Sequence, residues 1–336
     1  MKAAIIDAAH QMRVAHWTKP KPGRNEVLVS VRAAGICAGD MCIHLGKNPY
    51  ATYPQVCGHE VCGVVEEAGG DVVAIAPGDP VVVEPFLGCG RCYPCRIGKS
   101  NCCALLQIIG VQQPGGYAEY LRASARSIHP APKGLSWVFA SFAEPVAIAV
   151  QACRRGEVKA GEIVVILGCG SIGLALIEVA KARGAFPFAT DISDTRLAFA
   201  EQMGATVLKA DETLLANVLA QTNSEGAPVV IEATGSIRAM EQTVDLVAPG
   251  GRIVIVGLVK KGLEVRFPGL DFTRKEMTIV GSRASVNCFP EALELLASGK
   301  IYYPRVASEF SLWDAPEVFA KLAADPSAVH KGVLVT

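Results

Sequence analysis

Hydrophobic and polar positions in the first part of the chain, as far as residue 130 or so, follow a pattern of short strands and turns. Pro20, Pro22 and Gly23 interrupt the chain between the first two apolar runs, and glycine and proline of this kind end regular elements. The predicted strands are Lys2–Ile6, Glu26–Arg32, Val61–Glu66 and Val81–Glu84. The pattern predicts an all-β region with long loops.

The pattern changes near residue 145, beyond which apolar, β-branched runs alternate with helical stretches. The predicted strands are Ile163–Leu167, Phe186–Thr190, Val229–Ala233, Ile253–Val256 and Met277–Val280. The helix Ile172–Arg183 lies between the first two of them and ends at Gly184. Apolar strands that alternate with helices are typical of a parallel sheet covered on both faces. Beyond this region we expect one helix, Pro290–Ser298, and a final strand, Gly332–Val335.

Composition excludes several classes of protein. Of 336 residues, 51% are hydrophobic and 19% are charged, which is not the composition of a disordered or fibrous chain. Lys plus Arg number 32 and Asp plus Glu also number 32, so the chain lacks the excess positive charge of a nucleic-acid-binding protein. The most apolar uncharged run, Ile163–Ile177, is shorter than the roughly 20 residues that a membrane span needs. No secretory signal is visible, and we expect a soluble, cytoplasmic protein without a nucleic-acid or membrane partner.

A glycine-rich turn, Gly168-Cys169-Gly170-Ser171-Ile172-Gly173, directly follows the strand Ile163–Leu167 and opens the next helix. In this context the first glycine permits the tight turn, and the second lets a pyrophosphate approach backbone N–H groups. The third lets the helix pack closely on the strand. The turn predicts a dinucleotide-binding site that includes Gly168, Gly170, Ser171, Ile172 and Gly173.

Two charged residues beyond this turn bear on the choice of dinucleotide. Asp191 ends the second strand, 18 residues past Gly173, where a carboxylate can accept hydrogen bonds from the adenosine ribose. Its charge would repel a 2′-phosphate, so we predict NAD. Arg196, five residues further on, could stack on the adenine or approach such a phosphate, and NADP is the alternative.

Four of the 12 cysteines, Cys89, Cys92, Cys95 and Cys103, lie close together in the sequence. In a reducing compartment such clustering holds a metal more often than it forms disulfides. Four thiolates suit a closed tetrahedral Zn²⁺ site that stabilises a loop without taking part in chemistry. An iron–sulfur cluster uses the same ligand type and is the alternative. Cys102 could compete with Cys103, but the spacing favours Cys103, and we expect Cys102 to be a buried neighbour.

The order of the motifs along the chain resembles that of the zinc-dependent medium-chain dehydrogenases. These motifs are Gly35-Ile36-Cys37, Gly58-His59-Glu60, the four-cysteine cluster, Gly115-Gly116-Tyr117-Ala118-Glu119-Tyr120, Glu144-Pro145 and the glycine-rich turn. The resemblance covers essentially the whole chain. It implies an α/β protein that combines a β-rich GroES-like catalytic domain with a Rossmann domain, a doubly wound parallel sheet. The implied domains are residues 1–148 with a structural zinc lobe at about 86–105, residues 149–282 for the Rossmann domain, and residues 283–336 for the return to the catalytic domain.

The same resemblance implies two zinc ions per chain, together with NAD. The catalytic zinc would be bound by Cys37, His59 and an acid at Glu60 or Glu144, with water completing the shell, and the structural zinc by the four-cysteine cluster. A zinc ion with one thiolate, one neutral imidazole and one carboxylate has a site charge near zero. It therefore stays acidic enough to bind a substrate hydroxyl and lower its pKa, so that hydride can pass to the nicotinamide. A homodimer or homotetramer acting on a small-molecule alcohol is implied.

Shorter strings of residues resemble particular branches of the family. Alcohol dehydrogenases carry cysteine at the position of Glu144, and a glutamate there resembles the sorbitol and threonine dehydrogenases. Gly46–Tyr50, Lys99–Cys103 and Gly281–Ala284 resemble the bacterial enzymes that oxidise L-galactonate or L-gulonate at carbon 5. The alternatives are a sorbitol, xylitol or L-threonine dehydrogenase, and a zinc- and NAD-bound homologue without turnover.

Arg283 is the candidate for recognising the carboxylate of a sugar acid. It follows the predicted strand Met277–Val280, and ligands of α/β sheets gather beyond the carboxyl ends of the strands. A guanidinium can bind a carboxylate with two parallel hydrogen bonds. A contact with the NAD pyrophosphate or with a surface acid is the alternative role of this arginine.

The chain departs from the family pattern directly after Cys37. The family's Cys-Gly-Ser/Thr-Asp-x-His is replaced by Cys37-Ala38-Gly39-Asp40-Met41-Cys42, so that the hydroxyl and the histidine that pass the alcohol proton to solvent are missing. We expect either that His44 or ordered water takes over this relay, or that turnover is poor. Asp40 is expected close to the metal ligands, with an exposed or helix-capping aspartate as the alternative.

Overall fold

The computed structural model describes residues 1–336, and these form two units. Unit 1 comprises Met1–Glu144, Phe289–Gly299 and Pro304–Thr336. Unit 2 comprises Pro145–Cys288 and Lys300–Tyr303. The chain therefore passes from unit 1 to unit 2 after residue 144 and returns to unit 1 after residue 288, near the expected domain boundaries at 148 and 282.

Unit 1 is built on a seven-stranded sheet. In pairing order, six of its strands are Ala307–Ser311, Lys331–Val335, Glu26–Gly35, Glu60–Ala68, Pro80–Val83 and Ile128–Pro130, and the seventh, Tyr120–Ser124, also pairs with Glu26–Gly35. Two further pairs of strands are Lys2–Ala8 with Gln11–His16 and Phe86–Leu87 with Gln107–Ile108. Glu26–Gly35 is the central strand because it pairs with three others, and its β-branched residues Val27, Val29 and Val31 are buried in the core.

The prediction that the first 130 residues are all β is wrong at one functionally important place, where the helix Ala38–His44 follows the central strand. A helix of seven residues is too short for hydrophobic periodicity to reveal it. Its N-terminus nevertheless carries a capping box. The Cys37 side chain accepts from the backbone N–H of Asp40, and the Asp40 side chain accepts from the backbone N–H of Cys37. The remaining helical segments that lie wholly in unit 1 are Tyr93–Arg96, Ser100–Cys102, Ala125–Ser127, Trp137–Ser141, Phe289–Ala297, Leu312–Asp314 and Ala315–Ala324.

The C-terminal region also holds more than the predicted helix and strand. The strand Ala307–Ser311 and the helix Ala315–Ala324 were not predicted. The helix buries Ala315, Val318, Phe319 and Leu322, and this i, i+3, i+4, i+7 spacing, with a proline in the first turn, is a sequence signal that could have revealed it.

Unit 2 contains a six-stranded sheet in which every neighbouring pair of strands is parallel. In spatial order the strands are Thr206–Lys209, Phe186–Asp191, Ile163–Leu167, Ala227–Glu232, Val247–Ile255 and Thr278–Gly281. The first of them along the chain, Ile163–Leu167, lies in the centre, so the strand order reverses beside it and a crevice opens at its carboxyl end. This is the predicted doubly wound sheet.

The helices of unit 2 connect these strands. They are Ser171–Ala182, Asp194–Gln202, Leu214–Gln221, Ile237–Leu246 and Gly269–Arg274, while Ala143–Arg155 and the 3₁₀ turn Tyr303–Val306 run across the limits of the units. No helix in the protein combines the length and the apolar character that crossing a membrane requires.

Candidate metal centres and dinucleotide site

Strand register brings three candidate metal ligands of unit 1 together. Gly35, at the end of the central strand, pairs with Glu60 at the start of the antiparallel strand Glu60–Ala68. Cys37 follows two residues after Gly35, and His59 directly precedes Glu60. The ligand atoms of Cys37, His59 and Glu60 consequently lie within 4.8 Å of one another.

Asp40 connects this group to the fold and is fully buried, so it is not the exposed residue that one alternative expected. Its Oδ2 accepts hydrogen bonds from the backbone N–H of Cys37 (2.9 Å) and from the Tyr117 hydroxyl (2.8 Å). Its Oδ1 lies 3.4 Å from Nδ1 of His59. The contact is a charge interaction, because Nδ1 of His59 has no hydrogen-bond partner, but a carboxylate behind one ring nitrogen favours one orientation of the imidazole and leaves the other nitrogen for a metal. Tyr117, from the motif at 115–120, acquires a role here that its position in the sequence does not reveal.

The charges around His59 favour a cation. Burial alone would lower its pKa, but Asp40 and Cys37 outweigh burial and raise the pKa of His59 well above its usual value. Burial likewise opposes ionisation of Asp40, yet His59 and the hydrogen bonds from Cys37 and Tyr117 keep the pKa of Asp40 below its usual value. The anionic surroundings that hold a proton on the imidazole also favour a divalent cation.

Glu60 forms a buried ion pair with Lys331, which we did not predict. Nζ of Lys331 lies 2.5 Å from Oε1 of Glu60 and donates to the carbonyl oxygen of Ile36 at 3.0 Å, and the two charged side chains are only 1% and 2% exposed. Oε2 of Glu60 is buried without a hydrogen-bond partner. A Cβ at Gly35 would lie 1.9 Å from this oxygen, so only glycine leaves room for the carboxylate. No local pattern could reveal Lys331, since 271 residues separate it from Glu60.

Glu144 lies at the start of the helix Ala143–Arg155 and is also buried. Burial raises the pKa of this carboxyl to about 7, while the charges of His59 and Lys331 act in the opposite direction. Glu144 is not among the three residues whose ligand atoms lie within 4.8 Å of one another, although the charges of His59, Glu60 and Lys331 act on its pKa.

The donor set fits Zn²⁺. A thiolate, an imidazole and carboxylate oxygens are the ligands that zinc takes in proteins, and an unpartnered carboxylate oxygen is available at Glu60. Cys37, Glu60, Glu144 and Asp40, when all ionised, carry four negative charges, of which a Zn²⁺ ion and the Lys331 ammonium would balance three.

The four-cysteine cluster also comes together as predicted, with the sulfur atoms of Cys89, Cys92, Cys95 and Cys103 within 4.8 Å of one another. Sγ of Cys92 lies 3.5 Å from that of Cys95 and 3.7 Å from that of Cys103. Four thiolates at about 2.3 Å from one zinc ion would be about 3.8 Å apart, so the cluster fits a single tetrahedral ion. The expectation that Cys102 is buried is wrong, because its neighbour Cys103 turns inward and leaves Cys102 exposed.

The glycine-rich turn of unit 2 has the geometry that its three glycines imply. Gly168 has a φ of +100°, a left-handed conformation suited to glycine. A Cβ at Gly173 would lie 1.8 Å from the Gly168 carbonyl oxygen, so this glycine is required for close packing. At Gly170 a Cβ would meet nothing within 4 Å, which leaves open space for a ligand. Gly170 caps the helix Ser171–Ala182 without a side-chain hydrogen bond, so the first N–H groups of the helix can bind a pyrophosphate.

A cavity of about 230 Å³ adjoins this turn and fits the adenosine end of a dinucleotide. Its lining includes Gly168, Asp191, Arg196 and Arg238. The Asp191 carboxylate accepts hydrogen bonds from the backbone N–H groups of Cys169 (2.8 Å) and Ser193 (2.9 Å). It also lies 3.7 Å from the Arg196 guanidinium. Each carboxylate oxygen retains a lone pair for a ribose hydroxyl. Arg238 is a second cation of the cavity that the sequence interpretation missed.

Two predicted residues have less direct geometric support. His44 is buried, its ring meets those of Phe319 and His10 edge to face, and its Nδ1 has no hydrogen-bond partner. Its role in a proton relay therefore stays a prediction. Arg283 follows the strand Thr278–Gly281, as the sequence suggested, and its contact with a substrate carboxylate stays a prediction too.

Comparison with known proteins agrees with this geometry. Residues 23–133 match the alcohol dehydrogenase GroES-like domain, and residues 171–298 match the zinc-binding dehydrogenase family. The chain is 38% identical to the L-galactonate-5-dehydrogenase of Escherichia coli K12 over 285 residues, which cover 84% of this chain and 83% of that protein. It is 36% identical to the L-threonine 3-dehydrogenase of Pyrococcus horikoshii over 291 residues, with the same two coverages of 84% and 83%. The chain belongs to the zinc-dependent medium-chain dehydrogenases.

Among the solved structures of similar proteins, one contains NADP and another contains NADH. A protein from Sinorhizobium meliloti 1021, described as a zinc-binding dehydrogenase and bound to NADP, superposes with a TM-score of 0.92 at 33% identity and covers 100% of this chain and 99% of its own. An alcohol dehydrogenase from E. coli CFT073 in complex with NADH gives a TM-score of 0.93 at 30% identity, with coverages of 100% and 99%. This chain therefore has the fold of the family, whose cofactors are zinc and a nicotinamide dinucleotide.

Proposed function

We propose that the protein oxidises a secondary alcohol of a sugar acid, of the L-galactonate or L-gulonate type, at carbon 5, and transfers the hydride to NAD. The observation that carries the proposal is the group of half-buried Cys37 and buried His59 and Glu60, whose ligand atoms lie within 4.8 Å of one another. A bound zinc ion would supply the Lewis acidity that lowers the pKa of the substrate hydroxyl.

Within this site Cys37 and His59 are the two permanent ligands. Asp40 holds the His59 ring through the contact at Nδ1. Either Glu60 or Glu144 supplies the third ligand, and we propose that the two acids exchange in this role, since zinc accepts a change between four and five ligands during a reaction. Lys331 pairs with Oε1 of Glu60, so that Oε2 remains for the metal.

The proposed substrate is an alcohol that carries a carboxylate. L-Galactonate and L-threonine, the substrates named for two relatives, are both carboxylic acids with a secondary alcohol. A site that prefers such a substrate to a neutral polyol needs a fixed cation, and Arg283 is the candidate. The motifs at residues 46–50, 99–103 and 281–284, which resemble those of the sugar-acid dehydrogenases, favour the sugar acid over L-threonine.

We further propose two zinc ions per chain, the second held by the four-cysteine cluster, and a homodimer or homotetramer. Support for self-association comes from the strand Thr278–Gly281, which lies at the edge of its sheet with one side unpaired. Leu270 and Phe272, on the short helix Gly269–Arg274, are exposed apolar residues of the same unit. Light scattering of the purified protein tests this proposal, and a monomeric mass would contradict it.

The activity is tested by following NADH formation with the zinc-loaded protein on L-galactonate, L-gulonate, sorbitol and L-threonine. We expect the highest kcat/KM with one of the two aldonates and no activity in a Cys37→Ser control. The highest value with sorbitol or L-threonine would replace the sugar acid by that substrate. Turnover of none of them, with NADH and zinc bound, would favour a homologue without this activity.

The variant Arg283→Ala tests the carboxylate contact in the same assay. Arg283 is exposed in the structure, so the predicted pair forms only where a bound substrate covers the guanidinium. We expect KM for the aldonate to rise about ten- to hundredfold, because a hydrogen-bonded pair between charged groups contributes roughly 1.5–3 kcal/mol, with a much smaller change for sorbitol or NAD. An equal loss for all three compounds would assign Arg283 to cofactor binding or to the fold.

A further inference from the structure

Tyr303 lies against the helix that follows the glycine-rich turn, although it is far from that turn in the sequence. It belongs to the segment Lys300–Tyr303 of unit 2 and is fully buried. Its hydroxyl forms a hydrogen bond with Oγ of Ser171, and its backbone N–H donates to Oε2 of Glu178 at 2.7 Å. Glu178 is itself buried, 4% exposed.

These two contacts fix the segment along one face of the helix Ser171–Ala182. Ser171 and Glu178 are seven residues, or about two turns, apart, so they lie on the same side of the helix. Glu178 holds the backbone of Tyr303 at the middle of the helix, and the tyrosine ring reaches back to the first turn. The Tyr303 hydroxyl therefore ends at Ser171, next to the open space at Gly170.

We propose that Tyr303 is a positioning residue for the dinucleotide. Its hydroxyl donates a hydrogen bond to Oγ of Ser171, so that the Ser171 hydroxyl is free to donate its own hydrogen bond to the cofactor pyrophosphate. The inference rests on the dinucleotide binding of the proposed function. A phenol is more acidic than an aliphatic alcohol, and it is therefore the donor of the pair. A serine hydroxyl has one proton and two acceptor lone pairs, so accepting from Tyr303 does not prevent it from donating to a phosphate oxygen.

Tyr303→Phe tests this inference because it removes one oxygen and keeps the packed ring. NADH affinity is measured by fluorescence titration, without turnover. We expect NADH to bind about three- to tenfold more weakly, the effect of losing one hydrogen bond that orients a ligand contact. Tyr302→Phe is the matched control, since it removes a hydroxyl from the adjacent residue, which is 40% exposed, and it should leave the affinity unchanged. Unchanged affinity in Tyr303→Phe would overturn the inference.

Two further measurements separate positioning from a structural role. In a Ser171→Ala background, Tyr303→Phe should cause no additional loss, because the tyrosine acts through the serine hydroxyl. In competition with NADH, Tyr303→Phe should weaken ADP-ribose but not adenosine, which lacks phosphates. An additional loss in the Ser171→Ala background, or an equal loss for adenosine, would show that Tyr303 only supports the fold. A wild-type protein that fails to bind NADH would instead contradict the dinucleotide binding on which the inference rests.

Discussion

At the scale of single residues, the metal centre depends on side chains behind the ligands as much as on the ligands. Asp40 accepts hydrogen bonds from Cys37 and Tyr117 and lies beside Nδ1 of His59. One carboxylate thus caps a helix, orients the imidazole and binds the loop of the ligand cysteine. A residue with three such contacts tolerates little change of charge.

Asp40→Asn keeps the shape of this side chain and removes its charge. We expect zinc to bind the Cys37 site about 10- to 100-fold more weakly, since outer carboxylates of this kind contribute that much to metal affinity. Zinc competition with a chromophoric chelator measures the change. Tyr117→Phe, which removes only one donor to Asp40, should have a smaller effect. Wild-type affinity in Asp40→Asn would show that the contact with His59 does not act on the metal.

Lys331→Met tests the buried ion pair with Glu60. The variant leaves a carboxylate buried without its cation, and breaking a buried pair in this way costs about 3–5 kcal/mol of unfolding free energy. Urea unfolding of the zinc-free protein measures it. The double variant Lys331→Met, Glu60→Gln should recover part of the loss because no unpaired charge remains. If the single variant is as stable as the wild type, the pair does not stabilise unit 1.

At the scale of secondary structure elements, the same short segments that escaped prediction carry the site. The helix Ala38–His44 holds Asp40, and the short turns Tyr93–Arg96 and Ser100–Cys102 hold the cysteine cluster in shape. None of the three buries a wide apolar face. The helix Ala38–His44 is stabilised by its capping box, whereas the two turns of the cysteine lobe have no side-chain cap and would be stabilised by the metal that the four thiolates bind.

Cys95→Ser should therefore lower the thermal stability of the protein. Metal bound to the folded state alone contributes to folding free energy, and this variant removes one of four ligands. Calorimetry and metal analysis together test the effect, with two zinc ions per chain expected for the wild type and one for the variant. Cys102→Ser is the matched control, because Cys102 is exposed. A wild-type protein with only one tightly bound zinc would contradict two sites.

The strand Phe186–Asp191 ends in the residue that we expect to select the dinucleotide. Asp191→Ala removes the acceptor for ribose hydroxyls and the charge that repels a 2′-phosphate. We expect weaker use of NAD and a smaller preference for NAD over NADP. Steady-state kinetics with both cofactors measure this. If the wild type already prefers NADP, Arg196 and Arg238 dominate the cavity instead.

At the scale of the whole molecule, the candidate chemistry is divided between the two units. The candidate metal ligands all belong to unit 1, and the glycine-rich turn, Asp191 and Arg196 belong to unit 2. The division is not a simple one along the chain, since the C-terminal part returns to unit 1 and contributes Lys331.

Removing zinc should consequently leave dinucleotide binding intact. We expect zinc-depleted protein to bind NADH with an unchanged Kd, because the residues that cradle the dinucleotide in unit 2 include no zinc ligand. Fluorescence titration before and after treatment with a chelator measures this, and zinc repletion is the control. A loss of NADH affinity that returns with zinc would show that the two sites are coupled.

By itself, the sequence determined the local features of this protein. Alternating apolar strands and helices predicted the parallel sheet, glycine spacing predicted the dinucleotide turn, and four cysteines in one short stretch predicted a metal cluster. The glycine turn and the cysteine cluster each lie within one short stretch of chain, and the sheet signal repeats element by element along the chain, so each part of these signals reflects local geometry and hydrogen bonding. The position of Cys37, His59 and Glu60 as a group came only from resemblance to a family, since nothing in their spacing joins them.

Tertiary structure alone decided the contacts between distant segments. Lys331 meets Glu60, Tyr117 meets Asp40 and Tyr303 meets Ser171 across separations of 271, 77 and 132 residues. Strand register and helix packing create these pairs, and neither leaves a periodic signal around the residues concerned. A buried charge or hydroxyl must find a partner when the chain folds, but only the assembled sheet and helices determine which partner lies within reach.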